Sequence, residues 1–537
     1  MKEKTLLYNG QIFTVNKNDD IAEAILFEED RILFVGKTAE ALRLIDENTE
    51  WKDLYGCAVL PGFIDCHIHM AVAGAKIHNQ IDLSKKAGVE DINGLLERVK
   101  KVAKETKNDD WVIGSNYSNE SLKEKRHITA EELDRVAPQT PVLIIHTSGH
   151  ISVANTKALE IAESKGFKID RNDVLKGENQ KPIGVLQEGA HFAMLRLSPV
   201  LPTDEELVSG IEKFSRDLIK RGITSAHDAG GFGTATFRTL QKAKEEARLF
   251  CRTYPMLWTL FGKTAQIEMA ENSFESGFYT GFGDNMLKKG PLKIMADGSA
   301  VGGTCATIRP LMHLGEITPT TFTQEEMDEI FVKGHRLGFQ LTAHAVGDRA
   351  TEMVLDSFEK AMTVYPRKDT RHRIEHCFLC TPNLVERIKK LKVLPIPNPG
   401  FLSVWGGVFE KYYGDRLQNV MPLKSFEDAG IITPFGSDAM VIEEYGSLFG
   451  IAAAMERRDL KTGAVIGDEQ KISLMRAIRC YTYFGAYASF EEKIKGSLET
   501  GKLADLVVLS SSIAGKTPEE IRGIKVTESY LGGKRIV

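Results

Sequence analysis

One rhythm limits what this 537-residue chain can fold into: short apolar runs ending in polar residues alternate with stretches of helical periodicity. The runs end at GFIDCHIH, GITSAHD, CRTYPMLW, GPLKIMAD, FQLTAHA, HRIEHC, VLPIPNP and ITPFGSD. Apolar residues at helical spacing fill several gaps, as in EELVSGIEKFSRDLIKRG after Asp204, EEMDEIFVKGHRLG after Gln324 and TPNLVERIKKLK after Cys380. Strands that alternate with helices imply a parallel sheet. Eight of them is the count of a TIM (β/α)8 barrel, so the expected class is α/β, with chemistry at the carboxyl ends of the strands.

The flanks break this rhythm. LLYNGQIFTV, AEAILFEEDRILFVG and CAVLPG at the amino end, and GSLETGKLADLVVLS and ESYLGGKRIV at the carboxyl end, are short strands with Gly and Asp turns. Both ends are expected to meet in one small β-sandwich, which divides the chain into 1–60, a barrel over 61–487, and 488–537. The stretch between the first two barrel strands, about 75–203, is far longer than an ordinary βα loop and predicts an inserted subdomain over the barrel mouth.

Composition narrows the function classes. A net charge of -5 and a pI near 6.3 give no electrostatic reason to bind nucleic acid or an anionic membrane. No apolar run reaches the length of a membrane span, and no signal-like segment follows the amino-terminal lysines. Seven cysteines, an odd number scattered over a long chain, argue for reduced thiols, with Cys377 and Cys380 a chance pair. A cytoplasmic protein acting on a small molecule is expected, assembled as a homo-oligomer, taken as a dimer.

Five of the eight strands finish near a residue able to bind metal. In LPGFIDCHIHM, strand alternation puts His67 and His69 on one face, after Asp65. Two adjacent imidazoles suit a metal, against the alternative of two satisfied core histidines. His344, His376 and Asp438 end later strands, where a histidine can also be structural and an aspartate can cap a helix. Lys293 is the odd member, because an unpaired ammonium in an apolar strand is costly. Burial lowers a lysine pKa, and a free amine that takes up carbon dioxide becomes a carbamate with two oxygens for bridging cations. The alternative is a lysine reaching the rim to pair with Asp297.

These segments resemble the amidohydrolase superfamily of metal-dependent hydrolases, and more narrowly the amidohydrolase family 3 branch that contains N-substituted formamide deformylases. The resemblance rests on PGFIDCHIH, SGHISVANTKAL, GVLQEGA, GITSAHDAG, LKIMADGS, HAVGDRA, RIEHC, PNPGF, GSDA and KGSLETGKLADLVVLS, spread over nearly the whole length. It implies that His67 and His69 hold the more buried metal, that Lys293 is the N-carboxylated bridge, and that His344 and His376 hold a second ion. Asp438 matches the aspartate that binds metal and handles the proton of the attacking hydroxide. The implied cofactor is a divalent metal, zinc first, as one or two ions.

The expected reaction is hydrolysis of a non-peptide C–N bond in an N-substituted amide or formamide. His150 and His227 are candidates for holding the substrate oxygen, with Glu188 and Asp297 as hydrogen-bonding support. The aromatic stretch GFLSVWGGVFEKYYGDRL, with Trp405, reads as a pocket wall, and VGGTCATIRP as a lid. Two other readings stay open: a deaminase of a heterocyclic amine, and a non-catalytic barrel that serves as an assembly protein.

Overall fold

The computed structural model describes residues 4–107, 110–199, 202–312, 314–439 and 441–537. Seven of the expected strands form two parallel sheets. One holds β1 (Phe63–Ile68), β2 (Ile223–Asp228) and β3 (Arg252–Thr253) in the order β3-β2-β1. The other runs β4 (Leu292–Met295), β5 (Leu341–Ala345), β6 (Arg373–His376) and β7 (Leu394–Ile396) in sequence order. Every pairing within them is parallel.

Two of the expected strands are cut short, and proline accounts for both. β3 stops before Pro255, and the ITPFGSD segment, which contains Pro434, forms no ladder strand. That segment is still extended between the two sheets. Phe435 O accepts from Cys66 N at 2.9 Å, and Gly436 N donates to Pro397 O at 3.1 Å. On the far side, an isolated parallel bridge joins Leu257 to Leu292.

Helix α1 (Met70–Asn79) leaves directly from the end of β1. It lies against α2 (Asp204–Lys220), which starts with a reciprocal capping box between Thr203 and Glu206 and buries Leu207, Val208, Ile211, Phe214 and Leu218 on one face. The two helices touch through backbone: a Cβ at Gly210 would sit 2.3 Å from the Gly74 carbonyl oxygen. Only glycine permits that approach.

At the flanks, Lys4–Tyr8, Ala24–Glu28, Arg31–Gly36 and Thr49–Asp53 form a four-stranded sheet. A six-stranded sheet mixes both ends of the chain, with Leu506–Leu509 antiparallel to Ala58–Pro61. Leu7, Ile25 and Phe27 of the first sheet share a buried core with Ile12, Val59, Leu506 and Val508 of the second. Between β1 and β2 the chain builds a further six-stranded mixed sheet, from Ile81–Asp82 to Pro182–Gln187, followed by the helix Glu188–Leu197. All seven cysteines are free. Among the described residues no helix is long and apolar enough to cross a membrane.

Candidate metal centre

β1 is buried along its whole length, so its polar members need internal partners. Asp65 Oδ1 accepts from the backbone N–H groups of His67 (3.1 Å) and Ser437 (3.0 Å), which ties the end of β1 to the 433–438 segment. Gly436 makes the close approach possible, since a Cβ there would lie 2.4 Å from that of His67. Asp438 is thereby set against both histidines, with Oδ1 3.6 Å from His67 Nε2 and 3.5 Å from His69 Nε2. His67, His376 and Asp438 bring three ligand atoms within 4.8 Å of one another. The His376 ring centroid lies 4.6 Å from that of His67 and 4.5 Å from that of His344.

Each imidazole is turned by an acceptor on its far nitrogen. His67 Nδ1 meets Glu375 Oε2 at 2.5 Å, His69 Nδ1 meets Gly230 O at 2.8 Å, and His376 Nδ1 meets Asn398 Oδ1 at 2.7 Å. His344 is turned the other way, with Nε2 on Gly298 O at 2.9 Å. The nitrogen facing an acceptor carries the proton, which leaves a lone pair on Nε2 of the first three and on Nδ1 of His344. Backbone strain accompanies this arrangement. His376, Cys377 and Asp438 take φ of +70°, +42° and +56°, each a conformation that costs about 1–3 kcal/mol in a non-glycine residue and recurs where a site dictates geometry.

Burial, followed by the nearby Lys293 charge, holds His67 well below the usual imidazole range and His69 at about 3. Burial and neighbouring imidazoles do the same to His344 and His376. All four are neutral, as ligands must be. Burial raises Asp438 to about 6 against the pull of Lys293 and His150. Lys293 is lowered to about 8 by burial, with Glu375 and Asp438 opposing. It does not reach the rim to meet Asp297: it is 1% exposed, its Nζ lies 4.6 Å from the Trp258 ring centroid, and no described residue hydrogen-bonds to it. Asp297 is instead engaged by the N–H groups of Ala306, Val346 and Gly347.

The donor set fits a divalent cation. His67 Nε2 and Asp438 Oδ1 are buried and have no hydrogen-bond partner, a costly state for two atoms 3.6 Å apart unless something binds between them. Size alone does not pick out this place. Two grooves of about 780 and 880 Å³ carry none of the ligand candidates, whereas a cavity of about 120 Å³ is lined by His69, Lys293, His344, His376 and Asp438.

The inserted sheet and its last helix close this cavity with Thr147, Ser148, His150, His191 and Phe192. His150 is oriented by Glu188, whose Oε2 lies 2.9 Å from Nδ1. Burial alone would lower His150, but Glu188 outweighs it and the net shift is upward. Two expected substrate contacts lie elsewhere. His227 is buried with Nδ1 accepting from Arg373 at 3.0 Å and does not line the cavity, because the guanidinium needs an internal acceptor. Trp405, in the helix Gly400–Tyr413, lines the 880 Å³ groove, which meets the metal-side cavity only at Thr147 and Val441.

Glu375 escaped the sequence reading. It is fully buried, and its carboxylate accepts from His67, Thr342 Oγ1 (2.7 Å) and Arg373 Nε (2.8 Å). A charged pair, Arg373 and Glu375, at alternate positions of an apolar strand was the available signal.

The chain resembles known proteins over most of its length. The model of the amidohydrolase family matches residues 50–537. An N-substituted formamide deformylase from Arthrobacter pascens is 27% identical, with 98% of this chain and 97% of that protein covered. Among solved structures, an uncharacterized metal-dependent hydrolase from Pyrococcus horikoshii OT3 superposes with a TM-score of 0.75 at 23% identity, covering 96% of this chain and 99% of that one. Another from Pyrococcus furiosus gives 0.72 at 24%, covering 94% and 98%. These two likenesses concern the fold.

Proposed function

The chain belongs to the amidohydrolase family, and from that premise we propose that it hydrolyses a non-peptide C–N bond of an N-substituted amide or formamide. The observation that carries the reading is the pair of unpartnered buried atoms, His67 Nε2 and Asp438 Oδ1, the latter on a cavity also lined by His69, His344, His376 and Lys293. The residues that would hold one or two divalent ions, zinc first, are His67, His69, Lys293, His344, His376 and Asp438, with Lys293 N-carboxylated. When bound, the metal supplies a Lewis acid that polarises a carbonyl and acidifies water.

The chain's own groups supply the rest. Asp438 takes a proton from the attacking water and delivers it to the departing nitrogen, a task suited to a carboxyl raised to about 6. His150, with Nδ1 held by the Glu188 carboxylate that favours its protonated form, donates Nε2–H to the substrate oxygen as the imidazolium. The inserted sheet keeps bulk water from the cavity. We propose also that the two parallel sheets and the 433–438 segment are arcs of one (β/α)8 barrel, that residues 1–60 and 488–537 form a β-sandwich, and that the protein acts in the cytoplasm as a homodimer.

The test is a screen of zinc-loaded protein against N-acyl amines, formamides, cyclic amides and aminated heterocycles, with carboxylate and ammonia measured separately. Carboxylate release without ammonia supports the amide reading. Ammonia from the heterocycles alone would replace it with the deaminase reading, and absence of bound metal after reconstitution would remove both.

A further inference from the structure

α1 presents a stripe to the cavity: His69, at its N-cap, then Val72, Ala73, Lys76 and Gln80 recur at helical spacing and all line it. Lys76 and Lys293 are the two lysines of that lining, and neither catalysis nor metal binding as described above uses Lys76. It is half-buried and forms no ion pair or hydrogen bond with any described residue. Asp438 and Asp82 act on it only from a distance. An ammonium withdrawn from water without a partner is costly, and an anion brought by a ligand removes that cost.

Geometry says where the anion would lie. Seven residues of helix separate His69 from Lys76 by roughly 10 Å along the axis. Helical side chains lean towards the N-terminus, so Lys76 leans back towards the metal ligands, and its charge is felt at both His69 and Asp438. Asp438 is the group that serves the leaving nitrogen, which puts the anion on the amine side of the scissile bond. A second observation points to a polar ligand in the same space. His191 is fully buried and lines the cavity, and although its ring lies towards the Gly149 carbonyl, neither nitrogen has a well-formed hydrogen bond. Gln80 Oε1 is likewise unpartnered. Phe192, Leu195, Phe232 and Leu260 add apolar lining to the same cavity.

We propose that Lys76 is a specificity-determining residue that binds the carboxylate of an N-acylated α-amino acid, whose amide lies at the metal centre and whose side chain packs on Phe192, Leu195 and Phe232. This rests on the C–N hydrolysis reading. Water adds its oxygen to the acyl carbon, the C–N bond breaks, and the amine leaves with the proton, giving a carboxylic acid and a free amino acid. The carboxylate is attached to the carbon bearing the scissile nitrogen, within reach of a lysine seven positions along α1.

The experiment pairs the N-formyl and N-acetyl derivatives of D- and L-leucine with their carboxamide counterparts on the zinc-loaded protein. It measures kcat/KM and, by calorimetry, binding. A charge-assisted contact of this kind corresponds to an acid-over-amide preference of about 10- to 100-fold. Lys76→Met should abolish most of that preference, and Lys76→Arg should keep part of it. Neutral amides turned over as well as the acids, or a preference unchanged in Lys76→Met, would overturn the carboxylate site and leave C–N hydrolysis standing. Acid-selective binding that Lys76→Met removes, without turnover of any compound, would overturn hydrolysis and leave the site. Equal binding of acid and amide overturns the site whatever the turnover.

Discussion

Replacing Glu375 by Gln separates what holds the metal ligands in place from the ligands themselves. The carboxylate accepts at both oxygens: Oε1 from Thr342 and Arg373 Nε, Oε2 from His67 and Arg373 Nη2. An amide has one acceptor oxygen. If that oxygen keeps Thr342 and Arg373 Nε, the NH2 group faces His67 Nδ1, which must then become an acceptor, and the proton moves to Nε2. The lone pair aimed at Asp438 is lost. If the amide turns the other way, its NH2 meets the guanidinium donor to donor. Either way Arg373, fully buried, loses its counter-charge, and breaking one side of a buried pair costs about 3–5 kcal/mol. Loss of the group that orients a ligand adds a 10- to 100-fold fall in metal affinity.

Urea unfolding of the metal-free variant reads the first quantity, and competition for zinc against a chromophoric chelator reads the second. A variant that unfolds within about 1 kcal/mol of the parent, and holds zinc within threefold, would refute the claim that Glu375 sets the His67 tautomer.

Four further outcomes are expected. Asp438→Asn keeps an oxygen ligand without the base, so metal content by elemental analysis should survive while turnover falls by about 10² to 10⁴; loss of metal would make the residue chiefly a ligand. Lys293→Ala should lose metal and activity, with partial recovery on adding short carboxylates, and full metal content with undiminished turnover would end the carbamate idea. Truncation from Lys495 removes the strand that pairs with Ala58–Pro61 and should give insoluble or loosened protein; an unchanged cooperative unfolding transition would contradict this. Burial alone would raise Glu491, but Lys495 (2.9 Å) and Lys288 (3.1 Å) hold it down to about 2. A depressed carboxyl gives stability that is present above its unfolded pKa near 4.5 and is lost as pH falls towards 2. That amounts to about 3 kcal/mol. Glu491→Gln should flatten the acid limb of the stability curve, and an unaltered limb would assign it to other groups.

The elements most legible in the sequence were those whose periodicity is local. The capping box before Glu205 and the apolar face after it announce α2, and the strand ends carry polar residues that an apolar interior does not otherwise tolerate. What stayed hidden depends on partners distant in the chain. His376 follows Glu375 on β6, yet left-handed backbone at His376 breaks the alternation from which faces are read. His227 looked like a ligand-facing residue because nothing near it in sequence announces Arg373. Trp405 looked like a pocket wall for the same reason: aromatic content marks a buried helix face without saying which cavity it borders. The eighth strand was over-read because apolar content outweighed Pro434.

The pairing of Leu506–Leu509 with Ala58–Pro61 also sets a clock. The strand that leads into β1, and so to His67 and His69, has one early neighbour, Gln11–Phe13, and finds the other, Leu506–Leu509, only once the whole intervening region has been made. At ~5–20 residues per second the early segment waits on the order of tens of seconds on the ribosome with an open edge. Contacts this far apart in the chain close slowly, so His67 and His69 on β1 meet Asp438 only after the chain between them exists. A metal that needs residues from both would then be captured after assembly, since a nascent chain offers it only half a site.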